Sequence, residues 1–372
     1  MRIVFISTYW PEYSGPALRV RRLNKIFGKN ILIITSKRRE KGLSIIKNKL
    51  NNHFEYILEY NTFYILDFLI SFILCLFLPF KSQIHALGSC AQVHATFLAT
   101  YFRRDIKLVI ELVNGNSAPL INFSKVNIKL RPRLKSTIVL ALNSGQKTGK
   151  YKKIIKPNLI SQKFVDLKPR FNVRKYPIIE DSIKVNIGYL SKFKYRKNQI
   201  FLINVMQYLP DNYNLILSGP TDQQLDENLL SNKNYIDSIY KLICELNLRE
   251  RIKIYEGFQD PIQFFKLIDH YAIPSFNEGF GTTIVEAIAC GIPVTFNENE
   301  QAFKDCYSIC KKTLNPSSID NPKKFAKDIY NLNKKVTNLD LIESRKNILS
   351  LCDEENINKV YKSIFKNNHF NF

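Results

Sequence analysis

The stretch that most constrains how this chain can fold is Pro274-Ser-Phe-Asn-Glu-Gly-Phe-Gly-Thr-Thr-Ile-Val-Glu-Ala-Ile-Ala-Cys-Gly-Ile-Pro293. It follows a short apolar run at Tyr271, passes through a loop holding Glu278, Gly279 and Gly281, and takes on helical spacing from about Thr282 to Cys290. The first N–H groups of such a helix have no partner within it, and its dipole makes that end positive. The turn is therefore built to receive an anion such as a phosphate. Glu278 stands in the loop, and Glu286 lies about two turns into the helix. Both carboxylates can face one cleft.

Similar strand-and-helix units recur on either side. In the first half, unbroken apolar runs at residues 2–8, 31–35, 83–87, 106–112 and 137–142 predict buried strands, with an Arg-rich helix from about Ala17 to Phe27. In the second half, strands are predicted at 184–190, 214–219, 252–255, 271–274 and 292–296. Helices are predicted from Asn198 to Tyr208, Tyr235 to Leu246 and Pro261 to Leu267, and the tail from Asn321 to Lys366 reads as polar and helical. Continuous apolar strands alternating with helices argue for parallel sheets covered on both faces, that is, an α/β fold of two doubly wound, Rossmann-like domains. A chain of 372 residues is long enough for both. The expected division is 1–170, 171–350 and a helical tail, 351–372, that could pack back on the first domain. Residues Lys156 to Asp181, with Pro157, Pro169 and Pro177, have linker character.

The net charge of +23 is unevenly divided. Residues 1–170 hold 29 Lys and Arg against 8 Asp and Glu, a net of +21, whereas residues 171–372 hold 26 against 24, a net of +2. Compositional drift toward lysine would load both halves alike, so the first half is expected to present a basic working surface for an anionic lipid, an acidic acceptor or nucleic acid. Between its strands lies Phe63 to Phe80, apolar all round except for Asp67 and Ser71. It reads as a buried helix or as an interfacial helix that dips into a bilayer; a true span would separate strands that belong in one sheet. The basic groups Lys37 to Arg39, Arg103-Arg104 and Arg131 to Lys135 would supply the electrostatic signal that peripheral binding needs. The seven cysteines are scattered without a C-x-x-C pair, and Met1 to Ser7 enters a strand-like run with no secretory signal, which together suggest a reduced, cytoplasmic chain.

The run Glu278-Gly-Phe-Gly-Thr-Thr-Ile-Val-Glu286, with Pro274-Ser275 before it and Ala287-Ile-Ala-Cys-Gly-Ile-Pro-Val294 after it, resembles the E-x7-E signature of retaining GT-B glycosyltransferases of the family 4 type. Lys156-Pro-Asn158 is similar to the family's domain-junction motif, Leu217-Ser-Gly-Pro220 to its central strand end, and Ile254-Tyr-Glu-Gly-Phe258 to the segment bordering the nucleobase pocket. The resemblance is strong over 185–296 and loose over 1–150. It implies two Rossmann-like domains facing a cleft, a nucleotide-sugar donor carried by UDP, GDP or ADP, and transfer with retention, without metal or other cofactor. On the donor, Glu286 would bind the ribose hydroxyls, Glu278 would lie against the sugar, and Gly279, Phe280, Gly281, Thr282 and Thr283 would meet the diphosphate. Gly15, Gly188, Gly219 and Phe258 would complete the donor site.

The leaving diphosphate gains charge as the anomeric bond breaks, so fixed positive partners are needed there. Lys197 matches the family's lysine. Tyr189 stands where an arginine is expected, and Lys192 or Arg196 could take its role. The loop that often supplies a histidine reads Glu111-Leu-Val-Asn-Gly-Asn116, with Asn114 as the nearest candidate by position. No D-x-D motif and no Ser/His/Asp or Cys/His set is present. The resemblance and the basic first half together imply a glycan acceptor, lipid-linked or of lipopolysaccharide type, in bacterial surface polysaccharide synthesis at the inner face of the cytoplasmic membrane. The rivals are a soluble acceptor and a non-catalytic basic scaffold for lipid or nucleic acid; no nucleic-acid module is recognisable.

Overall fold

A computed structural model describes residues 3–7, 31–36, 44–46, 57–60, 64–78, 83–87, 95–96, 98–100, 102–103, 105–112, 137–146, 152–158, 160–180, 182–221, 233–257, 259–276 and 278–366. Gly15, Asn114, Phe258, the helix expected from Ala17 to Phe27 and the basic groups 37–39 and 131–135 lie outside the described residues. The chain divides into two units, one of residues 1–142 with 146–156, the other of 143–145 with 157–372.

The apolar runs of the first half become the inner strands of one sheet. Its elements are β1 (Ile3–Ser7), β2 (Ile31–Ser36), β3 (Ser44–Ile46), β4 (Ile57–Tyr60), helix α1 (Tyr64–Leu76), β5 (Gln83–Leu87), β6 (Lys107–Glu111), β7 (Thr137–Ala141) and β8 (Lys152–Ile155). The strand order is β3-β4-β2-β1-β5-β6-β7-β8, parallel throughout except for β3 against β4. Residues of β6 and β7 are buried at every position, as expected of strands covered on both faces. At the C-terminal end of β6, Glu111 forms a buried ion pair with Lys156 at 2.5 Å.

The Phe63–Phe80 stretch supplies α1. Its 13 residues span about 20 Å, short of the ~30 Å of a bilayer core. No helix among the described residues is long and apolar enough to cross a membrane. Ser71, Cys75 and Leu78 are buried while Leu69, Ile73 and Phe77 are exposed, so the buried-helix expectation holds for one face only.

The second unit contains β9 (Val185–Leu190), α2 (Gln199–Met206), β10 (Tyr213–Gly219), α3 (Lys233–Glu245), β11 (Ile252–Glu256), β12 (His270–Ile273), α4 (Thr282–Ala289), β13 (Val294–Asn297), β14 (Leu314–Ser317), α5 (Pro322–Lys335), α6 (Asn338–Cys352) and α7 (Glu354–Lys366). Its parallel sheet runs β11-β10-β9-β12-β13-β14, the doubly wound order in which the chain starts at the centre and winds outward in both directions.

Two boundaries differ from the sequence expectation. The units meet between Lys156 and Pro157 and not near residue 170, because the supposed linker is packed into the second unit. Ile160 N–H donates to Cys352 O, Arg170 N–H donates to Cys290 O, and the Phe164 ring packs edge-on against Phe265. Arg345 joins the carbonyl of Ala289 to that of Val165, both at 2.7 Å, placing a cation at the C-terminal end of α4, where the dipole favours one. The tail beyond residue 350 likewise belongs to the second unit. Polar residues are numerous enough in 157–181 to mimic a linker, and a local reading could not see partners more than a hundred positions away.

Candidate functional site

In the second sheet the winding direction reverses between β9 and β12, which pair at His270 with Ile187 and Tyr271 with Gly188. Loops leaving two such strands diverge to opposite faces and open a crevice at their C-terminal ends. The loop after β9 carries Lys192, Arg196 and Lys197, and the loop after β12 carries Glu278 and the glycines.

The first loop is fixed from beneath. Buried Gln199 donates from Nε2 to Ser191 Oγ at 3.0 Å and Lys192 O at 2.9 Å, and accepts from the Tyr235 hydroxyl at 3.1 Å. Gly219, with φ of +152°, lets the loop cross the end of β10, since a Cβ there would lie 1.9 Å from Ser191 O. Asn198 takes a left-handed turn, φ 57°, that ends the Tyr195–Lys197 turn and starts α2.

The second loop is tied to the first and to its own unit. Phe276 N–H donates to Arg196 O at 3.1 Å, and the Tyr195 and Phe276 rings meet edge-on at 5.9 Å. Glu278 N–H donates to Glu300 Oε2 at 3.0 Å, Asn143 Nδ2 to Gly279 O at 2.6 Å, and Asn297 Nδ2 to Ser275 O at 3.1 Å. Gly281 then caps α4 at φ 71° and ψ 54°. A Cβ on it would meet the Phe303 ring at 2.3 Å, so backbone and neighbour both demand glycine. Asn158 Nδ2 donates to Thr282 Oγ1 at 3.0 Å in the first turn of the helix.

Between the loops lies a cavity of about 190 Å³ lined by Lys192, Arg196, Lys197, Glu278, Gly281 and Thr283, with Tyr189 and Phe303 in its wall. Glu278 Oε1 accepts from Lys197 Nζ, and Arg196 Nη1 stands 3.6 Å from the same oxygen. Lys197 and Glu278 are each 14% exposed. Burial lowers the pKa of the Lys197 ammonium below its ordinary value, with the Glu278 charge acting against that. A cation that is partly desolvated and already held by one carboxylate interacts strongly with any second anion reaching it.

Of the residues predicted for the site, the structure gathers Lys192, Arg196, Lys197, Glu278, Gly281 and Thr283 around this cavity. Gly279, Phe280 and Thr282 belong to the same loop and helix start, with Phe280 buried, and Glu286 lies half-buried in the second turn of α4. Gly188 and Gly219 serve packing: a Cβ on Gly188 would run into Ile268 and Phe264. Gly15, Asn114 and Phe258 lie outside the described residues. Asn143, Asn297, Glu300 and Phe303 were not foreseen. Asn143 is 136 positions from Gly279, so no local signal could have paired them.

Tyr189 is 2% exposed, and its ring packs against Tyr271 at 6.1 Å. Burial and then the Glu278 charge raise its pKa well above the usual phenol value, so it is a neutral group. Ser191 and Ser275 lie beside its hydroxyl, yet neither closes a hydrogen bond with it. The positive charge in this cavity comes from Lys192, Arg196 and Lys197.

Residues 175–305 match the family described as Glycosyl transferases group 1. A D-inositol 3-phosphate glycosyltransferase of Mycobacterium sp. (strain KMS) is 28% identical over 110 residues, 29% of this chain and 23% of that one. The N-acetylgalactosamine-N,N'-diacetylbacillosaminyl-diphospho-undecaprenol 4-alpha-N-acetylgalactosaminyltransferase of Campylobacter jejuni is 24% identical over 129 residues, 35% of this chain and 31% of that one. The matched part thus spans less than a third of the length of these relatives. Among solved structures, Anabaena HepE in complex with UDP superposes with a TM-score of 0.74 at 17% identity, covering 98% of this chain and 100% of that one. A glycosyltransferase from Rickettsia africae superposes with a TM-score of 0.68 at 18% identity, covering 98% and 99%. The chain therefore has the GT-B fold, and the part of it that builds the cavity is the part that matches the group 1 glycosyl transferases.

Proposed function

We propose that this chain is a glycosyltransferase that moves a sugar from a nucleoside-diphosphate sugar to a hydroxyl acceptor with retention at the anomeric carbon. The observation that carries the reading is the cavity itself: three cations, the start of α4 and the Glu278 carboxylate converge at the switch point of a doubly wound sheet. Such a site suits a ligand with a charged diphosphate and a neutral, hydroxylated sugar.

In this reading the diphosphate sits against the amides of Gly281 to Thr283 and draws Lys197 from Glu278, while Arg196 and Lys192 add field. Glu278 then accepts from the hydroxyls of the sugar, and Glu286 from those of the ribose, as a carboxylate can. The anomeric C–O bond to the diphosphate breaks as a new C–O bond to the acceptor oxygen forms on the same face. The acceptor's proton passes to the departing phosphate oxygen, so no protein base and no metal is invoked. UDP in the HepE structure supports uridine diphosphate sugars as the first donors to try.

For the acceptor, we infer a lipid-linked or lipopolysaccharide-type glycan presented at the inner face of the cytoplasmic membrane. The net charge of +21 in residues 1–170 and the diphospho-undecaprenol named for the Campylobacter relative support it. A soluble acceptor is the second reading, since a sucrose-phosphate synthase of Thermosynechococcus elongatus, 14% identical, shares the fold with a TM-score of 0.69.

The test is turnover of UDP-, GDP- and ADP-sugars by wild type and by Glu286→Ala, with the anomeric configuration of the product read by NMR. A retained configuration, and a loss of about 10²-fold or more in the variant, are expected. Turnover of none of these donors would sink the reading.

A further inference from the structure

We propose that the exposed face of α1, together with Phe102, is a membrane-docking surface that seats the chain on an anionic bilayer. This deepens the membrane reading given above, and it rests on that reading only for the identity of the acceptor.

Leu69, Ile73 and Phe77 follow one another at intervals of four along α1 and its C-terminal turn, so they lie on one face, about 12 Å long. They are 45%, 49% and 83% exposed. Phe102, from a separate segment, is 63% exposed and extends the same patch, since its ring stands edge-on to Phe72 at 5.9 Å. The opposite face, Ser71, Cys75 and Leu78, is buried, so the helix cannot turn its apolar side inward.

The patch is held rigidly. Arg103 donates from Nη1 to Leu76 O at 2.7 Å and Leu78 O at 2.9 Å, and from Nε and Nη2 to the two Asp105 oxygens at 2.8 and 2.7 Å. It thereby closes the carbonyl end of α1 and fixes the residue next to Phe102. Docking such a preformed surface orders few further side chains.

Charge decides between occupants. Two copies of a segment whose net charge is +21 repel each other when their patches meet, whereas an anionic leaflet attracts the same segment. Four large apolar side chains and the net positive charge of residues 1–170 are the two signals that stable peripheral binding takes. Aromatic rings at Phe77 and Phe102 suit the headgroup boundary. At about 12 Å the patch is far shorter than a bilayer core.

The experiment is flotation of the full chain with phosphatidylcholine vesicles, with and without phosphatidylglycerol, for wild type and the double variant Phe77→Ser/Phe102→Ser. Wild type is expected to float with the anionic vesicles, less so at high salt, and the double variant to lose at least about tenfold in partition. Both side chains are mostly exposed, so the variant should stay folded, its melting temperature lowered only by loss of the Phe72–Phe102 ring contact. A Phe77→Trp variant adds a direct readout: its emission should shift to the blue on vesicle binding. Undiminished flotation of the double variant, no shift at Trp, or a wild-type dimer that the double substitution dissociates would each overturn the proposal. Nucleotide-sugar turnover, followed on the same samples without vesicles, separates failure of this surface from failure of the glycosyltransferase reading.

Discussion

The two units share one architecture and carry very different net charges. Each winds outward from its first strand, β1 or β9, and each reverses direction beside it. The first unit, residues 1–142 with 146–156, holds 26 basic against 7 acidic residues; the second is near balance, with 29 against 25. Yet it is the balanced unit that contains a cavity lined by three cations and one carboxylate, of which Lys197 and Glu278 have little access to water. The lesson is that net charge and local field are separate quantities. A wide excess of exposed charge steers and adheres at long range, whereas a few half-buried charges act strongly on one ligand.

The contrast can be broken at Gly281. Gly281→Ala should strain the left-handed cap and drive a Cβ into Phe303, costing about 2–3 kcal/mol and displacing the α4 amides from the cavity. Denaturant melts and donor binding should both register it, while vesicle flotation through α1 should persist.

A comparable effect, confined to acid pH, should come from His270 in the second core. Its Nδ1 meets Asn333 Oδ1 at 2.8 Å and its Nε2 meets Thr295 Oγ1 at 3.0 Å. The neutral ring donates at the first and accepts at the second. Burial moves its pKa from 6.5 down to about 4. The unfolded chain therefore takes up the proton first, and stability that is full above pH 6.5 is lost as pH falls toward 4. At ~1.36 kcal/mol per unit the loss is roughly 3 kcal/mol at the acid end, and about half of that by mid-range. Melting curves across this range should slope in wild type and flatten in His270→Gln. Equal slopes would assign the acid sensitivity elsewhere.

The smallest change is expected at Tyr189. Its hydroxyl is buried without a partner, so Tyr189→Phe should leave stability equal to wild type or raise it by up to about 1 kcal/mol. A clear loss of stability would show that the phenol is bonded and that the cavity wall depends on it.

Legibility in the sequence followed burial. The inner strands β1, β2, β5, β6, β7, β9, β10, β12 and β13 stand out as mostly apolar runs, and β6, β7, β12 and β13 are buried at every position. The strands that escaped notice are β3, β4, β8 and β14, at or next to the sheet edges. No residue of β8 is buried, so Lys152 and Lys153 are tolerated there, and Pro316 fits β14 because an edge needs no further N–H donor. The site divided in the same way. Glu278, Gly281, Thr283 and Lys197 could be read because each lies at fixed spacing within its own strand-loop-helix unit. Asn143, Asn297, Glu300 and Phe303 could not, since only folding brings them to the glycine loop. The linker expectation failed for that reason too: Pro and Lys made 157–181 look solvated, while Arg345 and Cys352 hold it from far along the chain.

The central claim is that the cavity of the second unit holds a nucleoside-diphosphate sugar with Lys197 as its chief cation. Its most direct test is a thermal-shift titration of wild type and Lys197→Met with UDP-, GDP- and ADP-linked sugars. One of the three should raise the wild-type melting temperature in a saturable way, as ~2.7 kcal/mol of stabilisation at a hundredfold excess over Kd requires. The variant should bind the same donor at least about tenfold more weakly. No shift of wild type with any donor, or equal affinity in Lys197→Met, would contradict the account.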